Sequence, residues 1–249
     1  MPETPLDDRG ISDVIGYVLV FALILGAVVI VSTTGLSELA DIRTNEQIDN
    51  AERAFDVIAE NLGDVYASGA PSRATEIDLA SASLSLGTPI TMNVTNGSTT
   101  LLRQQITPIV YEGEARSRIV YEGGAVFRTQ DDSGVVLREP PVITAPDGVH
   151  VTVVGTRSRQ ADSVTGGTVR LRSERASAFL AEYGTEDPLW LNVTSPRWEQ
   201  WETALQRPGV SCLSGGATPT DVVACNLTAS GAPTRVAVSV VRIDVSITT

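Results

Sequence analysis

The chain has 249 residues, enough for one large domain or two small ones with a substantial core. Its 18 basic residues are all Arg and face 30 acids, a net charge of −12, which argues against a general nucleic-acid binder because phosphates need a basic face. With 42% hydrophobic residues, one His and two Cys, the chain is neither disordered nor equipped for ordinary metal or nucleophilic catalysis; it is expected to be no enzyme and to hold no cofactor.

In chain order, the first predicted element is a membrane span. Residues 14–31 carry no charge and residues 32–37 extend the run. At about 1.5 Å per residue this crosses a hydrocarbon core of about 30 Å. Glu3, Asp7 and Asp8 precede it against a single Arg9, which is not the basic head of a secretory signal, and the run is longer than a signal's apolar core. Arg9 on one side and Arg43 on the other leave orientation undecided by charge.

The string Arg9-Gly10-Ile11-Ser12-Asp13-Val14-Ile15-Gly16 before this long apolar helix resembles the N-terminus of an archaeal type IV prepilin. The resemblance implies a leader of residues 1–10, cut by a prepilin-type peptidase between Gly10 and Ile11, and a membrane helix over residues 11–34. That helix would pack among other pilin-like subunits, with Asp13 and Gly16 in the assembly region and Asp13 a candidate partner for a neighbour's new N-terminal amine. The chain departs from the family pattern at Asp13, where haloarchaeal pilins usually carry Pro, and at Ile15, where bacterial ones carry Glu. The strings Arg53-Ala54-Phe55-Asp56-Val57 and Ala70-Pro71-Ser72-Arg73-Ala74-Thr75-Glu76 are similar to an uncharacterised group of haloarchaeal pilin-like membrane proteins. The acidic, Lys-free composition agrees with a halophilic source, since in molar salt the Debye length falls to about 3 Å and self-repulsion costs little. A high-GC genome also replaces Lys by Arg.

An amphipathic helix is expected over residues 35–68. Ile48, Ala51, Phe55, Ile58, Leu62 and Val65 form one helical stripe, with Glu46, Asp49, Glu52, Asp56, Glu60 and Asp64 largely on other faces. The stripe is too short to demand a coiled coil, so a helix laid against a sheet is expected. Gly69 to Ser72, with Pro71, predict its end.

From residue 69 to 249 the period becomes two. Ile77 and Leu79, Leu84 and Leu86, then Ile90, Met92 and Val94 predict strands, with Asn96-Gly97 as a hairpin turn. Ile109-Val110-Tyr111-Glu112-Gly113 recurs as Ile119-Val120-Tyr121-Glu122-Gly123, which suits successive strands. Further strands are predicted at residues 135–137, 149–154 and 168–172. A change of phase between Val240 and Val241 predicts a bulge in the last strand. One helix interrupts them: Ser195 is its expected N-cap, Pro196 its first residue, and Trp198, Trp201 and Leu205 one face. The Trp pair suits sugar stacking or, as we expect, a core plug.

Four Asn-x-Ser/Thr sequons, at Asn93, Asn96, Asn192 and Asn226, all follow the helix and predict a glycosylated exterior domain. Cys212 and Cys225 form either a disulfide or two buried thiols; an exterior compartment favours the disulfide, worth about 3 kcal/mol on the loop-entropy model. His150 alternates with apolar Val149 and Val151, with no second His or Cys expected to complete a metal site, and reads as structural. Asp131-Asp132-Ser133-Gly134 reads as a turn before it reads as a cation site.

Together these readings predict an α+β protein: a long N-terminal transmembrane and amphipathic helix, then an all-β, sandwich-like domain outside the cell. The expected function is a single-pass, type IV pilin-like subunit, minor or accessory given the size of its exterior domain. Membrane lipid, the peptidase and other subunits are its expected partners. The alternative is an uncleaved, membrane-anchored binding or adhesion protein.

Overall fold

The computed structural model describes residues 8–131, 133–145, 147–159, 163–183, 187–214, 221–231 and 235–249; at 8–13, 33–41, 43, 115 and 214 it describes the backbone alone. Of the expected leader, residues 1–7 lie outside the described residues; Gly10 is described in its backbone, and beyond the leader the side chains of Ile11 and Asp13 are not described. The chain divides into two compact units, Met1–Gln47 and Ile48–Thr249.

The first unit is the N-terminal part of helix α1 (Asp8–Tyr66). Within it Val14–Ser32 has a mean hydropathy of 3.0 and no buried residue. Its large apolar side chains are 49–73% exposed, and they point all round the helix rather than along one stripe. Such a segment satisfies its own backbone hydrogen bonds and leaves a predominantly apolar exterior, as residence in lipid requires.

The second unit begins with the rest of α1. There the predicted stripe is the buried face: Ala51, Phe55, Ile58, Leu62 and Val65 are at most 4% exposed. The helix ends after Tyr66, where Gly69 takes φ +76° and the Ala70 N–H returns to the Asp64 carbonyl at 2.9 Å. Among the described residues sixteen strands follow: β1 (Ser72–Asp78), β2 (Ser83–Leu86), β3 (Ile90–Asn96), β4 (Thr99–Ile106), β5 (Ile109–Glu112), β6 (Ser117–Glu122), β7 (Ala125–Gln130), β8 (Ser133–Arg138), β9 (Val142–Ala145), β10 (Gly148–Ser158), β11 (Ser163–Thr165), β12 (Thr168–Tyr183), β13 (Leu189–Thr194), β14 (Ser211–Ser214), β15 (Val222–Asn226) and β16 (Arg235–Thr248). Helix α2 (Trp198–Leu205) lies between β13 and β14.

The strands form three sheets, ordered β1-β12-β16-β10-β9, β11-β2-β5-β6-β7-β8 and β14-β15-β13-β3-β4. All described pairings are antiparallel except β10 with β16. The repeated Ile-Val-Tyr-Glu strings are β5 and β6, paired with each other, Tyr111 opposite Ile119 and Ile109 opposite Tyr121.

Two cores share the first sheet. One joins the α1 stripe to Ile77, Leu171, Ile243, Val245 and Ile247 of the first sheet and to Leu84, Ile109 and Tyr121 of the second. The other joins Val149, Val151, Val153, Val236 and Val238 to Met92, Val94, Leu191, Val223 and the α2 residues Trp201 and Leu205. This arrangement explains the phase change in β16. Its even-numbered residues up to Val238 fill the second core, while Val241 and the odd-numbered residues beyond it fill the first. β10 changes face beside it, between Val153 and Val154.

Three local expectations are corrected. The bulge lies in β12, between Arg175 and Ser177 opposite Ile243 and Arg242, because β16 serves a core on each face without breaking register itself. The β3–β4 turn is Gly97-Ser98 rather than Asn96-Gly97: Asn96 still pairs with Thr99, and Gly97 takes the left-handed φ of +55°. The N-cap of α2 is Arg197; Ser195 stands two residues earlier and is buried, its Oγ accepting the Arg197 N–H at 3.1 Å, so Pro196 lies before the helix.

Tyr121 is fully buried in the first core, and its hydroxyl has no hydrogen-bond partner among the described residues. Burial pushes its phenol well above the usual range; Tyr66 adds to this and Arg138 opposes it. A buried hydroxyl without a partner costs more than it returns. Tyr121→Phe is therefore expected to leave stability unchanged or raise it by about 1 kcal/mol, to be read from the denaturation midpoint.

Candidate functional site

Two regions carry functional possibilities, and each lies within one unit. The first is the apolar stretch Val14–Ser32, long and apolar enough to cross a membrane. Gly16 opens space on this surface, since a methyl group placed there would meet nothing within 4 Å, and Tyr17 stacks on Phe21 at 6.4 Å. The assembly residues expected from the resemblance therefore divide: Gly16 is described, Asp13 is described only in its backbone.

The second region is the surface of the β-rich unit. Cys212 and Cys225 form a disulfide between directly opposite residues of β14 and β15. Its cysteines stand 13 positions apart, and about 3 kcal/mol of loop entropy follows.

The sequon asparagines cluster on the third sheet. Asn93 of β3 lies directly opposite Asn192 of β13, and Asn226 of β15 lies opposite Trp190. Each alternates with core residues (Met92 and Val94, Leu191 and Val193, Cys225), so all three occupy the face away from the core. Asn96 ends β3 beside the Gly97-Ser98 turn. Asn226 is already engaged: its Oδ1 accepts the Thr228 N–H and hydroxyl, both at 2.9 Å. The same Thr228 hydroxyl oxygen accepts the Leu189 N–H at 3.1 Å. Asn93 Oδ1 is buried without a partner among the described residues.

His150 does not stand alone. Its Nε2 lies 3.0 Å from Ser239 Oγ, and that hydroxyl donates to Thr152 Oγ1 at 2.9 Å. The three side chains share one face of β10 and β16, Thr152 directly opposite Ser239. A Ser–His contact resembles the start of a nucleophilic pair; here the two side chains form a triangle with Thr152, whose Oγ1 lies 3.5 Å from the same His150 Nε2. Ser239 also has ladder partners on both sides, Thr152 and Leu180, so the backbone there is occupied in the sheet. The cluster forms the polar floor of a groove of about 560 Å³ rimmed by Ile143, Phe179 and Leu180. These three side chains are 59–62% exposed, although most large apolar groups of the unit are buried. Sequence periodicity ends the corresponding strand prediction at Arg172, and the rim residues of β12 were missed. Their signal was a charge-free run, Ala176 to Ala181, without alternation.

The two buried carboxylates among the described residues, Glu122 and Asp244, are paired. Glu122, with no exposed surface, receives Arg197 Nε at 2.8 Å and Trp201 Nε1 at 2.7 Å, and the second arm of Arg197 also reaches it. This places Trp201 in the core, edge-on to Phe127, as the plug reading expects. Asp244 receives Arg157 at 2.6 Å and Arg159 at 2.9 Å. Burial opposes ionisation of Asp244, but the two guanidinium groups outweigh it and hold its carboxyl below the usual range. Among the described residues no three His, Cys, Asp or Glu side chains gather as a metal site.

No curated protein and no solved structure matches the chain. A family model matches residues 9–246, from the first turn of α1 into the last strand, and the chain belongs to that family, described as a family of unknown function (DUF7289).

Proposed function

We propose that the chain is a type IV pilin-like subunit, minor or accessory, of an archaeal, salt-adapted cell surface. In this reading a prepilin-type peptidase cleaves between Gly10 and Ile11, and the freed apolar helix packs with those of other subunits in the membrane or a filament base. The β-rich unit is a sandwich-like domain outside the cell, glycosylated at some of its sequons. One observation carries the reading. Helix α1 combines Val14–Ser32, whose apolar side chains are uncovered on every side, with a second stretch whose stripe from Ala51 to Val65 is buried in a β-rich core. A helix so divided has one part that leaves its apolar side chains exposed and one part that carries a folded domain, a division that suits an assembling subunit.

The test is the N-terminal sequence of the protein from native membranes, expected to begin at Ile11. Gly10→Phe is expected to leave membrane insertion intact and to abolish that processing, because the peptidase takes a small residue before the cut. A start at Met1 in the unaltered protein overturns the reading. The second reading, an uncleaved anchored binding protein, is favoured by the groove with its polar His150–Ser239–Thr152 floor and apolar rim, the make-up of a ligand site.

A further inference from the structure

β12 has one covered and one open half. Its pairing with β1 ends at Glu174, opposite Ser72, whereas its pairing with β16 continues to Tyr183, opposite Val236. Among the described residues no strand covers the other edge of residues 176–183. Ala176, Ser177, Ala178, Phe179 and Leu180 are all exposed, the last two at 62% and 59%. Exposed edges are normally protected by charge, proline or shortness. This one has no proline, and its charges stand only at its ends, Arg175 and Glu182.

The bulge decides where those charges point. Residues seven apart in a regular strand face opposite sides. Across the bulge, however, Arg175 is the partner of Ile243 and Glu182 the partner of Ala237, both odd-numbered residues of β16, so the two charges share a face.

We propose that this edge pairs antiparallel with the same edge of a second copy of the chain, about a two-fold axis at Phe179. In this register each Glu182 meets the Arg175–Ala176 bulge of the other copy, Ala178 meets Leu180, and Phe179 meets Phe179. Parallel pairing would set Arg against Arg and Glu against Glu. Moving the axis by one residue separates the opposite charges. The edge is thus self-complementary in charge and apolar surface, the requirement of an isologous contact, and it joins two five-stranded sheets into one of ten. The contact involves only the β-rich unit and does not depend on prepilin-type processing.

The full chain in detergent micelles tests this. Among the described residues both native cysteines are bonded to each other, so the thiol introduced by Phe179→Cys is the reactive one. Mild oxidation of that variant is expected to yield a reducible covalent dimer. Ile143→Cys, equally exposed on the opposite edge strand β9, is expected to stay monomeric. A mixture of Ser177→Cys and Ala181→Cys chains, which retains Phe179, is expected to give the mixed dimer. Adding Arg175→Glu to Phe179→Cys is expected to weaken dimerisation about tenfold, two favourable cross-strand pairs becoming two repulsive ones, and adding Glu182→Arg as well restores it. Absence of both the Phe179→Cys dimer and the mixed dimer, or equal cross-linking of Ile143→Cys, overturns the proposal and assigns the edge to a strand from a different polypeptide or to no partner. Failure of the charge exchange to restore pairing overturns the Phe179-centred register.

Discussion

Arg197→Ala is expected to destabilise the β-rich unit by about 3–5 kcal/mol, the usual cost of stranding one partner of a buried ion pair. Glu122 has no exposed surface and receives three donors: two from Arg197, itself only 17% exposed, and the Trp201 indole N–H. Removing Arg197 leaves the carboxylate in a core that water does not reach, with one neutral donor. The pair also sets the position of α2, because Arg197 is its N-cap and Trp201 its main buried side chain. Loss of the pair should therefore loosen helix and sheet together. The measurement is chemical denaturation of the full chain in detergent, followed by the fluorescence of Trp190, Trp198 and Trp201, all in this unit. The doubly apolar variant Glu122→Met/Arg197→Met is expected to recover only part of the loss, since it removes the stranded charge but leaves the buried Trp201 indole N–H without its acceptor. A loss below about 1 kcal/mol in Arg197→Ala, within the range of an exposed pair, would show that water solvates Glu122.

Phe55→Ala is expected to cost about 3–5 kcal/mol by the same measurement. Phe55 is fully buried in the first core and meets Tyr111 edge-on at 6.4 Å. It anchors the α1 stripe on the sheets, and a cavity there cannot close while the two sheets hold their registers. Val57→Ala, two residues on and 46% exposed, is the matched control and should change stability by no more than about 0.5 kcal/mol. Equal effects at the two positions would mean that this stretch of α1 does not pack on the strands as described.

These two residues differ in how far the sequence foretells them. Phe55 was legible: it belongs to a stripe whose three- and four-residue spacing records a helix with one buried side. Glu122 was not. It occurs in one of two similar strings, and only the strand bearing it approaches Arg197, 75 residues away. The disulfide lay between these cases, with residue type and spacing permitting it and the pairing of β14 with β15 realising it. The sequons were visible as a motif, but their collection on one face of the third sheet follows from the alignment of β3, β13 and β15.

What the sequence by itself determined is local: a stretch too apolar and too long for water, an amphipathic helix after it, and strands of period two. Each depends on the chemistry of residues a few positions apart, and helix or strand periodicity turns that chemistry directly into a pattern. What only the tertiary structure decided is non-local: three sheets, the parallel pairing of β10 with β16, and two cores shared through one sheet. From that sharing came the phase change in β16, whose cause was packing on both faces while the bulge fell to β12. The open edge at residues 176–183 arose in the same way, because β12 outruns β1. A strand's neighbours are set by how the whole chain closes around its cores, so an edge, a buried ion pair or a bulge has no sequence period to announce it.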